Sequence, residues 1–316
     1  MKDVYLHFGA HKSASTTIQR SLRRSQQYLV SSGIRFLGSA DLHKEPIGEH
    51  FRNLARRDSL SESEYLESLG RAKRFWLDLC ASIDEPKILI SYEGFCGGSS
   101  LDVYGGIYRN PRRIAESVKE IFSGSNIRII FVLRRQDEFV ESCYLQQIKE
   151  GRVLEFSDFK NAIDPEKLRW NPMLDSFSEI FDDDFCVMPF ELLKIYGKSK
   201  DFLDFFFRGL NLNEIEVSKM TVVEKANASM SAYAVGLHKE VVSKVSVKSR
   251  NTLRNIFASE FPSEKYGKAR FFGQFERALI LKYLRSHNAD LFDTYLRRSS
   301  DLCGFELEDL RMYWFD

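Results

Sequence analysis

Residues 127–133, IRIIFVL, form the most continuous apolar strand-like stretch of the chain, and Arg134-Arg135 follows it at once. A strand with apolar side chains on both faces needs cover on both, which a parallel sheet between helix layers supplies. The flanking pattern agrees. Residues 4–8 make a short β-rich run ending at Gly9, and Ile18, Leu22 and Leu29 then recur at helical spacing over residues 18–30. Residues 33–38 read as extended, and residues 61–82 as an amphipathic helix through Tyr65, Leu69, Ala72, Trp76 and Leu79. Residues 87–92 are a strand that stops at Glu93-Gly94, a loop rich in glycine follows, and Pro111 opens a helix. Asp137 and Glu138 suit the positive end of the helix after the central strand, and Gly151 suits its stop. A helix at 173–181, a strand at 185–188 and a helix at 199–207 continue the alternation.

This alternation predicts an α/β fold, an open parallel sheet flanked by helices with right-handed crossovers. Beyond about residue 212 the pattern is helical only, at 229–245, 250–257 and 272–285. With no internal repeat, low-complexity run or Pro/Gly/Ser linker, the expectation is one domain over 1–316. Its α/β core spans 1–210, and a helical region, 211–316, packs on it and walls one side of the site.

Composition removes several classes. Lys and Arg total 46 against 45 Asp and Glu, a net charge of +1 that argues against a general binder of nucleic acid or anionic membranes. Apolar runs fall far short of the roughly 20 residues a membrane helix needs. The chain enters its first apolar run two residues after Met1, too early for a signal peptide, so a cytoplasmic protein is expected. Five cysteines without CxxC spacing read as reduced, mostly buried thiols, and the six histidines show no HExxH or Cys/His spacing. No metal is expected.

Gly9-Ala-His-Lys-Ser-Ala-Ser-Thr-Thr17 joins the first strand to a helix, a junction that aims free N–H groups and the positive helix end at an anion. Against the GxxxxGK[ST] phosphate loop, Gly9 and Thr16 fit, Ala14 replaces the second glycine and Ser15 replaces the lysine. Lys12 is the only lysine, in mid-loop, and Ser13, Ser15, Thr16 and Thr17 supply hydroxyls for non-bridging oxygens.

The stretch from His7 to Thr17 resembles the 5′-phosphosulfate loop of sulfotransferases that use 3′-phosphoadenosine 5′-phosphosulfate (PAPS), in its bacterial and carbohydrate-modifying versions. Ala14 is the departure, since that family usually has glycine there. The family also ends its central strand in an arginine with a serine eight residues later, together holding the donor's 3′-phosphate; Arg134 and Ser142 match that spacing. A dianion at the sheet edge calls for such a forked cation and a hydroxyl. Residues 88–93, ILISYE, resemble the family's second core strand, after which carbohydrate sulfotransferases often carry a glutamate base. The resemblance implies a P-loop NTPase-like sulfotransferase fold. It also implies PAPS as co-substrate without a metal, and a sugar or other hydroxyl-bearing acceptor on a carbohydrate or glycolipid.

On that basis Gly9, Lys12, Ser13, Ala14, Ser15, Thr16, Thr17, Arg134 and Ser142 bind the donor. Lys12 stabilises the leaving phosphate and Glu93 is the general base, with His11 as rival. Glu191 is read as structural, and Trp170, Tyr144, Tyr104 and Tyr108 as sugar-stacking or core aromatics. Two alternatives stand beside the transferase: a P-loop nucleotide-dependent kinase, weakened by Ser15 in place of lysine, and a catalytically silent nucleotide- or glycan-binding member.

Overall fold

A computed structural model describes residues 1–56, 60–224 and 230–315. Five strands, β1 (Asp3–Gly9), β2 (Ile34–Gly38), β3 (Lys87–Ser91), β4 (Asn126–Leu133) and β5 (Phe185–Pro189), form one parallel sheet in the order β2-β3-β1-β4-β5. The expected α/β architecture is present. Ile129 to Leu133 are all buried, as a doubly covered central strand requires. β1 pairs with β4 from Asp3 opposite Asn126 to Gly9 opposite Val132, and with β3 from Asp3 opposite Lys87 to His7 opposite Ser91. The chain therefore leaves β1, β3 and β4 at one edge, where ligands of open α/β sheets bind.

Helices differ from the sequence reading in several places. The helix expected over 18–30 starts earlier, as α1 (Ser15–Arg24), and breaks at Ser25 before a second helix, Gln26–Ser31. The Ser25 hydroxyl accepts the Thr221 N–H at 2.9 Å, so the break is fixed by a segment nearly two hundred residues away. The helix Pro46–Arg56 was not anticipated, although Ile47, Phe51 and Leu54 bury one face at helical spacing. The glycine-rich loop contains a helical turn, Leu101–Tyr104.

In the C-terminal region the helices run Ala232–Val242, Val247–Glu260 and Gln274–Leu291, followed by Arg297–Cys303 and Leu307–Phe315. Two isolated bridges, Met230 with Pro262 and Ser231 with Lys268, qualify the helices-only expectation, and Ser229 lies outside the described residues. One apolar core runs from Val4 to Trp314. No helix of the described residues is long and apolar enough to cross a membrane.

Buried Glu191 joins the last helix to the sheet. Its carboxylate accepts the Arg135 N–H at 3.0 Å and the Trp314 indole N–H at 3.2 Å. Burial raises its pKa, with Lys194 and the Arg135 N–H acting in the opposite direction. Glu141 makes a second tie, accepting the Phe271 and Phe272 N–H groups at 2.8 and 2.9 Å and pairing with Arg277 at 2.9 Å. Residues 268–271 are thereby held against the edge where β4 ends.

Candidate functional site

The turn after β1 is built on Gly9, where a Cβ would lie 2.3 Å from Ser15 Oγ. Ala10 N–H donates to Val132 O at 2.9 Å, pinning the start of the loop to β4. The Ser13 N–H and hydroxyl both donate to Ala10 O, which closes the turn. Lys12 (φ 69°) and Ala14 (φ 67°) are both left-handed. Left-handed residues alternating along a turn aim backbone N–H groups into one concavity, the usual form of an anion nest. The glycine-like backbone at Ala14 persists although its methyl makes that conformation cost about 1–2 kcal/mol. Ser15 Oγ is buried without a hydrogen-bond partner.

Arg134 and Arg135 leave β4 in different directions. Arg135 pairs with Asp137 at 2.8 Å and donates to Tyr313 O, so it is fully used within the fold. Arg134 donates to Lys12 O at 2.9 Å through Nη1 and to Glu138 at 3.1 Å through Nη2, while its buried Nε has no partner. Its guanidinium also lies 4.7 Å from the Phe190 ring centre. Burial opposes the Glu138 charge, yet Lys194 and Arg134 outweigh it and hold the carboxyl well below the usual range. Arg134 thus braces the loop after β1 and keeps an unpartnered Nε–H.

Lys12 Nζ donates to Gln146 Oε1 at 3.3 Å, and Gln146 donates in turn to Glu150 at 2.8 Å. Burial lowers the Lys12 pKa, Glu93 working against the shift and Arg134 with it. Glu93 opens the short turn Glu93–Phe95 after β3; it is half-buried, without a hydrogen-bond or ion-pair partner among the described residues. His11 is held by Tyr108, whose hydroxyl accepts the His11 N–H at 3.0 Å and lies 3.3 Å from Nδ1. Burial lowers the His11 pKa, with Glu93 opposing, so the ring is neutral at pH 7.

His11, Lys12, Ala14, Ser15, Thr16, Thr17, Glu93, Arg134 and Ser142 line one cavity of about 1210 Å³. Gly9 and Ser13 do not: Gly9 is the last residue of β1 and Ser13 is spent on the Ala10 carbonyl. Trp170 and Tyr144 are core residues, bonded to Arg134 O at 3.0 Å and Leu154 O at 2.7 Å, whereas Tyr104 reaches the cavity. The cavity wall also holds residues that the motifs did not flag: Arg20, Arg52, Gln146, Lys149, Arg254, Lys268 and Arg270. With them it carries eight Lys/Arg against five Glu, a positive excess within a nearly neutral chain. Such a cavity concentrates anions.

No family model matches the chain, and no curated protein matches it. Among solved structures, a similar chain trace occurs in one described as the crystal structure of sulfotransferase from Alicyclobacillus acidocaldarius. That likeness has 11% identity and a TM-score of 0.45, over 81% of this chain and 96% of that one.

Proposed function

We propose that this chain transfers a sulfuryl group from PAPS to an acceptor hydroxyl on a carbohydrate or glycolipid. The observation that carries the reading is that Lys12, Glu93, Arg134 and Ser142, drawn from three separate stretches of sequence, line a single cationic cavity. Support comes from Arg134 as well, since a buried guanidinium with an unpartnered Nε suits a bound phosphate. Ser142, half-buried and without a partner among the described residues, supplies the accompanying hydroxyl.

Sulfuryl transfer needs positioning and charge neutralisation along a line through sulfur, as phosphoryl transfer does. In this reading Glu93 takes the proton of the acceptor hydroxyl as the acceptor oxygen bonds to sulfur. The bond from sulfur to the bridging phosphate oxygen breaks with its electron pair retained on that oxygen, and Lys12 stabilises the charge. The products are a sulfate ester and 3′-phosphoadenosine 5′-phosphate (PAP). A carboxylate free of ion pairs and a lysine whose pKa burial lowers fit those two roles. The kinase reading lacks its lysine, because position 15 is a buried serine.

Calorimetry with PAP and AMP tests the proposal. Much tighter binding of PAP is expected, together with transfer of labelled sulfate from PAPS to a sugar acceptor. Equal affinity for the two nucleotides, or magnesium-dependent ATP hydrolysis in place of transfer, overturns it.

A further inference from the structure

Lys149 and Arg254 line the same cavity as Lys12 and Glu93, and both are half-buried. Neither has an ion-pair or hydrogen-bond partner among the described residues. Lys149 is the last residue of the helix Gln136–Lys149, and Arg254 belongs to the helix Val247–Glu260. The two helices are brought together at Gly151, which is left-handed (φ 91°) and where a Cβ would lie 2.9 Å from Arg250 Cδ. Arg250 therefore lies over that glycine, donating to Gly151 O at 3.4 Å, and Arg254 follows one helical turn later.

The charges that act on Lys149 are Lys12 and Arg254, both cations, and burial together with these neighbours lowers its pKa to about 8. Holding cations half out of water beside one another without a counter-ion is unfavourable for folding. Elsewhere in the lining of this cavity Arg134 has its counter-charge in Glu138, 3.1 Å away.

We propose that Lys149 and Arg254 form a subsite for an acidic group on the acceptor, a carboxylate or an existing sulfate on a sugar adjoining the hydroxyl that is modified. The inference rests on the transferase reading. It places the acid beside Lys12 and Glu93, so that an acidic neighbouring sugar positions the reacting hydroxyl. Arg134 and Ser142 serve the nucleotide, and Lys149 and Arg254 select the acceptor.

The test compares methyl β-D-glucuronide with methyl β-D-glucoside by NMR titration of the PAP-saturated protein, and repeats the titrations without nucleotide. The expected result is a preference for the acid of about tenfold or more, lost in Lys149→Gln and Arg254→Gln. PAP affinity should change less than about threefold in both variants. Lys149→Gln should also melt at a higher temperature than the wild type, since the unpaired charge is gone. Equal binding of the two glycosides, no binding of the glucuronide, or a preference that survives both substitutions overturns the subsite. Loss of PAP binding in the variants overturns it too, by assigning the pair to the donor. If PAP fails to bind the wild-type protein, the transferase reading falls separately, and the titrations without nucleotide still decide whether this wall takes an acid.

Discussion

The sheet edge and the helical wall treat charge in opposite ways. At the edge, Arg134 is held by Glu138 and by the Lys12 carbonyl, and Arg135 by Asp137 and Tyr313. Lys149 and Arg254 line the same cavity without an ion-pair partner among the described residues. A paired cation keeps its geometry whether or not a ligand is bound, whereas an unpaired one stores a cost that an incoming anion relieves. In the proposed reading the edge is preorganised for one partner, and the wall discriminates among partners.

The largest expected effect separates chemistry from binding at the edge. Glu93→Gln keeps the shape and removes the proposed base, so turnover should fall roughly 10²–10⁴-fold with PAP affinity unchanged. Single-turnover measurement of sulfate transfer decides this. If Glu93→Gln transfers at a near-normal rate while His11→Ala is inactive, the base is His11. Its neutral ring and its Tyr108 contact make it the competent rival.

Next in size is Arg134→Ala. Removing a buried cation from a phosphate should cost about 2–5 kcal/mol in PAP affinity and erase most of the preference over AMP. The bond to Lys12 O adds a second expectation, because Arg134→Lys retains charge but lacks the fork that reaches both the carbonyl and Glu138. Calorimetry on Arg134→Lys should therefore show a loss nearer to that of Arg134→Ala than to wild type. Full affinity in Arg134→Lys means that charge alone suffices.

The two regions also differ in how far sequence reveals them. The loop and the β4 terminus are local motifs: Gly9 to Thr17 is contiguous, and Arg134 and Ser142 lie on one strand-helix junction, so spacing alone brings them together. Glu93 joins them because parallel strands share an edge. Lys149 and Arg254 are more than a hundred residues apart, on helices that approach where Arg250 packs on Gly151, a contact that neither periodicity nor spacing encodes. The break at Ser25 was hidden for the same reason, its partner being Thr221. Within the motifs, residue type did not separate Ser13, turned inward onto Ala10 O, and Ser15, whose hydroxyl is buried, from Thr16 and Thr17, which line the cavity. The helix Pro46–Arg56 is another matter, since its apolar repeat was present in the sequence.

A smaller effect sharpens the charge contrast through pH. The folded-state pKa of Lys149 lies at about 8, below the ordinary 10.5, so the unfolded chain binds more protons between those values. Stability then gains from this group as pH rises from about 8 towards 10.5, and its penalty is fully present below about 8. Lys12 and Arg254 are the charges that act on Lys149, and Glu150, which lines the same cavity, adjoins it in the chain. The melting advantage of Lys149→Gln over wild type should therefore be largest near neutral pH and shrink above pH 8. An advantage independent of pH would trace it to packing.

The smallest expected effect lies inside the loop itself. Ala14 adopts φ 67°, a conformation that glycine takes without a steric penalty and that costs an alanine about 1–2 kcal/mol. Glycine also gives the unfolded chain more freedom, which offsets roughly 0.4–1 kcal/mol of that gain. Ala14→Gly should thus stabilise the protein by an amount on the order of 0.5 kcal/mol, visible as a small rise in denaturant midpoint at constant m-value. PAP affinity should hold or improve, since the N–H directions are unchanged and the methyl leaves the cavity wall. A destabilised Ala14→Gly with weaker PAP binding would mean that the methyl packs usefully. The loop would then owe its shape to Ala14 rather than tolerate it, and the edge would depend on a contact that the glycine form of the motif does not make.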